Sequence, residues 1–191
     1  MNNFRKVSLI LGGVFLFTYV ATWVINTCYY KFDVEHHDVI DIIWVIISIL
    51  WSLCLPILFI YNAVKCKSST AIIAAIFGVL SFLVGNVLGY FYFIPYCGLL
   101  AILLSIISIG FFADSRRNNK AVQATSIILM VITFVQFILY ICGVDLLYNP
   151  TLLSVIADVV IYLLPTCALF VAASTIKEEN KSLTKQITLK L

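Results

Sequence analysis

The chain has 191 residues, of which 63% are apolar and 11% charged, and it carries a net charge of +3. Its mean hydropathy is +1.10. A soluble domain keeps roughly a quarter of its residues charged, so these values exclude a soluble globular domain. No stretch is long and polar enough to form a separate soluble unit. The expected fold is therefore all-α: a polytopic integral membrane bundle of six transmembrane helices within residues 1–176, with a polar tail over 177–191. Its first partner is the lipid bilayer, and no nucleic-acid partner is expected.

Span one is expected at about 7–25, after Arg5 and Lys6, and is retained because a long apolar run and further spans follow it. Residues 26–37 read as a polar loop. Span two, about 38–64, contains Pro56 in the half nearer Lys65 and Lys67, where a proline kinks a helix but is tolerated inside a bundle.

Span three, about 71–94, exceeds the roughly 20 apolar residues needed to cross a bilayer. Ala74, Gly78, Ser81, Gly85 and Gly89 recur at helical spacing, on one stripe. Span four, about 97–113, carries a second such stripe of Gly98, Ala101, Ser105 and Ser108. In lipid, small residues let backbones approach closely and so supply packing energy. The short turn at Ile94-Pro95-Tyr96-Cys97 keeps the two spans together, which predicts a tight antiparallel hairpin. Span five is expected at about 121–142, and span six at about 151–176. In the tail, Leu183, Ile187 and Leu191 repeat every four residues, a pattern that suits a helix lying on the membrane surface.

Charge sets the orientation. Of the 12 lysines and arginines, Lys31 alone falls on one side of the expected spans. The positive-inside rule then places both termini in the cytoplasm, as a multi-pass protein of the cell membrane. Six cysteines show no C-x-x-C pair and no metal-finger spacing. Cys28, Cys97 and Cys142 fall toward the outer face, where spacing leaves a disulfide between two of them open.

Polar residues inside the spans form one layer. Asn86, Gln136 and Asp158 each lie six to eight residues from the outer end of their span. At the helical rise this is about 10 Å below the outer surface, and Tyr19 lies at a similar depth. An ionisable group at this depth must be paired, hydrated or protonated, which makes Asp158 the sharpest candidate. It shares a stripe with Ser154 and Tyr162, opposite Thr133, Gln136 and Tyr140 of span five. The expected ligand-binding residues are Asp158, Gln136, Asn86, Tyr162 and Tyr19, lining an outward pocket for a small-molecule solute. The competing reading makes the same residues structural, with Asp158 bonded to Gln136, Asn86 or Tyr162 to join helices.

His37 and Asp41 are four apart and suit two metal ligands, but no third or fourth ligand is spaced to complete a site, and no metal or other cofactor is expected. Acidic residues at a helix start also answer the macrodipole. No Walker A loop, H-E-x-x-H or G-x-S-x-G occurs, so no enzyme activity is expected.

Size, six spans and internal termini are similar to those of the substrate-binding membrane subunits of energy-coupling factor vitamin transporters. Those subunits often carry an A-x-x-x-A contact motif in their first span, and the nearest feature here is Ser8 with Gly12. The similarity is architectural, and no family is assigned on it. Two functions fit the residues. One is a solute-binding or transport component. The alternative is an accessory or interaction protein with a protein partner in the membrane: a complex subunit, an immunity factor or a sensor.

Overall fold

The computed structural model describes residues 3–32, 38–91, 96–142 and 159–176. The described chain forms α1 (Asn3–Phe32), α2 (Asp38–Cys66), α3 (Ser69–Phe82), α4 (Cys97–Ser115), α5 (Lys120–Ile141) and α6 (Leu164–Ser174). Two π-helical segments, Leu83–Phe91 and Val159–Leu163, continue α3 and precede α6. No strand occurs among the described residues. Five helices are long and apolar enough to cross a membrane, with Leu164–Ser174 a shorter apolar sixth. The protein is a helical membrane bundle.

Most helix boundaries fall within a few residues of those expected, and one does not. The stretch 26–32, read as loop, continues α1 as helix. Nothing in Asn26-Thr27-Cys28-Tyr29-Tyr30-Lys31-Phe32 is a glycine or proline, so no residue there forces the helix to stop. The first part of span six, the loops 33–37 and 143–150, and the tail lie outside the described residues.

Consecutive helices pack side by side, and α6 returns against α1, so the bundle closes as a ring in chain order. The α3–α4 pair is the expected hairpin. The Ser108 hydroxyl donates to the Ala74 carbonyl at 2.7 Å. The Ser81 hydroxyl donates to the Ala101 carbonyl at 2.8 Å and lies 2.8 Å from that of Ser105. A Cβ placed on Gly78 would stand 2.9 Å from the Phe59 ring and 3.1 Å from Ser108 Oγ. The two small stripes therefore face each other, and polar hydroxyls replace the bonds that lipid cannot offer.

Ser8 and Gly12 also pack within the chain, although the Ser8 hydroxyl finds no hydrogen-bond partner among the described residues. A Cβ on Gly12 would come 2.9 Å from the Phe170 Cβ, and Ser8 is fully buried. The first-span pair thus packs inside the bundle, with Gly12 against α6.

The close-packed core draws on every helix of the ring and lies toward one end of the bundle's length. Phe4, Phe15, Leu58, Phe59, Ile109, Phe112, Val122, Leu129, Leu169 and Phe170 form one buried cluster. This half of the bundle's length includes the end that gathers Arg5, Lys6, Lys65, Lys67, Arg116, Arg117 and Lys120, called here the basic end.

Candidate functional site

The polar layer lies in the half away from the basic end. Asn86 is 17 residues beyond Ser69 at the start of α3, and Gln136 is 16 beyond Lys120 at the start of α5. At about 1.5 Å per residue in an α-helix, both stand some 25 Å from the basic end. Packing changes along the way. On α3 the buried residues are Ala71, Ala74, Ala75 and Gly78, and none of 83–88 is buried. On α5 they are Val122, Ser126, Leu129 and Thr133, and none of 134–139 is buried. On α6 burial begins at Pro165. Among the described residues Thr18, Ser48, Cys97 and Thr133 are buried residues that reach toward the far half.

Both π-helical segments fall in this half. In the ring order α3 and α6 are separated by two helices on either side. Each wide turn has a local feature that permits it. Pro165 has no amide to bond the Ile161 carbonyl, which frees the backbone inside Val159–Leu163 to take a wider turn. In the other segment Gly85 offers no side-chain resistance to a close neighbour: a Cβ there would stand 3.1 Å from that of Ala101. The Asn86 side-chain amide donates to the Phe82 carbonyl at 3.3 Å. In an α-helix that carbonyl would accept from the backbone amide of residue 86 itself, so the side chain competes locally with the α-helical pattern.

The described polar side chains of the layer do not join helices. Asn86 is half-buried, and its hydrogen bond goes to its own helix. Gln136 is half-buried and makes no hydrogen bond among the described residues. The Thr133 hydroxyl is used within α5, donating to the Leu129 carbonyl at 2.7 Å. Asn86 and Gln136 belong to helices that both flank α4 and do not pack along each other.

Tyr19 stands apart from the amides. Its ring stacks on Phe15 at 5.7 Å and meets Trp51 edge-on at 5.7 Å, and Phe15 in turn contacts Phe170. It is thus part of an aromatic cluster shared by α1, α2 and α6. Tyr162 lies on the second π-helical segment, whereas Asp158, Ser154 and His36-His37 lie outside the described residues. Among the described residues no group of three or more His, Cys, Asp or Glu side chains could hold a metal. Cys97 and Cys142 are free thiols, so neither forms the disulfide that their spacing leaves open.

A polar knot at the basic end is not anticipated by the sequence reading. Asn62 is fully buried, donates to Ser115 Oγ at 2.9 Å, and accepts from Arg116 Nε at 2.6 Å. The Arg116 guanidinium lies over the Phe4 ring at 5.2 Å, and Phe4 packs on Tyr61 at 5.2 Å. Asn119 caps α5 by accepting from the Val122 amide at 3.2 Å, and its side chain donates to Thr175 Oγ1 at 3.0 Å. The start of α1 and the ends of α2, α4 and α6 thereby meet in one hydrogen-bonded and aromatic assembly. The available signal was an asparagine one turn before Lys65 and Cys66, at the end of an apolar span.

No protein-family model, curated protein or solved structure matches the chain.

Proposed function

We propose that the protein is a small-solute binding or transport component of a cell membrane, with both termini cytoplasmic and the solute entering from the side opposite the basic end. The observation that supports this reading is the contrast in the polar layer. Asn86 and Gln136 sit within apolar spans, yet neither spends its amide on another helix, and the surrounding helix segments are not closely packed. Gln136, which makes no hydrogen bond among the described residues, and the Asn86 groups left over after its bond to the Phe82 carbonyl are then open to water or a ligand. Asn86 and Gln136 supply donors and acceptors from two helices, and the proposal extends the site to Tyr162 and to Asp158, which lies outside the described residues. The reading contains no catalytic step.

Native mass spectrometry of the full chain, extracted gently from its own host membrane, tests this. A small molecule retained by the wild type and lost from folded Gln136→Ala and Asp158→Asn variants is the expected result. Equal retention by the folded variants contradicts the reading. A co-extracted protein subunit with no small molecule would replace it with an accessory role.

A further inference from the structure

The cations at the basic end are gathered by the fold. Arg5 and Lys6 follow Phe4 at the start of α1, Lys67 forms the turn between α2 and α3, and Arg117 and Lys120 flank the turn between α4 and α5. All five are exposed. Among the described residues none of the five makes an ion pair, and Asp114 is the one carboxylate described at this end. The three segments are fixed to one another. Phe4 contacts both Tyr61 of α2 and Arg116 of the α4–α5 turn, and Asn62 bonds Ser115 and Arg116. Lys67 is held in a left-handed backbone conformation (φ 52°), with Ser68 capping α3 immediately after it.

Depth fixes what these cations can meet. They stand at the ends of apolar helices, where a long basic side chain carries its charge from the hydrocarbon edge to the headgroup layer. Basic clusters beside a membrane are attracted to anionic lipid, whereas lone surface charges at such a depth are merely hydrated. An anchored platform loses less side-chain and segmental freedom on binding than a flexible basic tail would.

We infer that the basic end is a docking platform for anionic phospholipid headgroups, held by Arg5, Lys6, Lys67, Arg117 and Lys120 and kept in shape by the Phe4–Asn62–Arg116 knot. The phosphate groups lie between the cations of the three segments, so the platform binds lipid of its own leaflet rather than a soluble anion. This inference stands independently of the solute-binding reading, because it uses the opposite end of the bundle.

The test uses the purified full chain in mixed micelles, with phosphatidylglycerol or phosphatidylcholine as probe and bound lipid counted by native mass spectrometry. Phosphatidylglycerol should be retained in preference to phosphatidylcholine, and the preference should weaken as salt is raised. The Arg117→Gln/Lys120→Gln double variant should lose roughly fivefold in affinity per charge removed. Equal retention of the two lipids, or undiminished preference in the folded double variant, overturns the inference. Inorganic phosphate displacing phosphatidylglycerol at equal concentration would overturn the choice of lipid. If the double variant fails to fold, Lys67→Gln and the salt dependence of the wild type decide the matter on the same criteria.

Discussion

The two halves of this bundle solve the same problem in opposite ways. Both place polar side chains inside apolar helices. Near the basic end Asn62, Ser108 and Ser115 each reach a neighbouring helix or turn and large aromatic residues fill the space around them, although the buried Ser8 and Ser126 hydroxyls find no partner among the described residues. In the far half Asn86 bonds only within its own helix, Gln136 bonds nothing among the described residues, and two helices widen into π-helical turns. Polar residues that join helices make the first half a fixed frame. Polar residues that make no bond to another helix among the described residues mark the second half, and the proposed solute site rests on that difference.

Substitutions should separate the halves. The largest loss belongs to Phe112→Ala, which empties a fully buried site against Phe59 and should cost about 3–5 kcal/mol in reversible unfolding in micelles. Next comes Gly78→Ala. Its added methyl would meet the Phe59 ring and Ser108 Oγ, and overpacking of this kind costs about 1–3 kcal/mol in the same assay. Asn62→Ala leaves Arg116 Nε without its acceptor and Ser115 without a donor, with an expected loss of about 1–3 kcal/mol. Ser81→Ala, in the hairpin seam, removes interhelical bonds worth about 0.6 kcal/mol on average in membrane proteins. The smallest effect should be that of Gln136→Ala, which breaks no bond among the described residues and should leave the unfolding transition within about 0.5 kcal/mol of the wild type. A Gln136→Ala variant as damaged as Phe112→Ala would erase the distinction between the halves.

Much of the frame was legible because it rests on periodicity. Ala74, Gly78 and Ser81 repeat at helical spacing, as do Ala101, Ser105 and Ser108, so their meeting as a hairpin follows from spacing and a short turn. The knot at Asn62 was not legible. Its partners are 53 and 54 residues away, and nothing local distinguishes an asparagine buried at a span end from one facing solvent. The π-helical turns were missed for a related reason: Gly85 and Pro165 permit a wide turn without requiring one. Reading 26–32 as a loop gave polarity more weight than the absence of a helix breaker. The depth shared by Asn86 and Gln136 follows from counting residues, but the sequence does not say whether their amides bond other helices. The pattern also placed Tyr19 at the depth of the amides without revealing that its ring belongs with Phe15 and Trp51.

The central claim is that the far half admits water or solute to Asn86 and Gln136 while the basic half stays closed. The most direct measurement is labelling of single cysteines, in a background without the six native ones, by a membrane-impermeant maleimide applied to intact membranes. Asn86→Cys and Gln136→Cys should react from the side opposite the basic end, whereas Ser108→Cys should not. Labelling at position 108 as fast as at 86 and 136, or none at 86 and 136, would contradict the account.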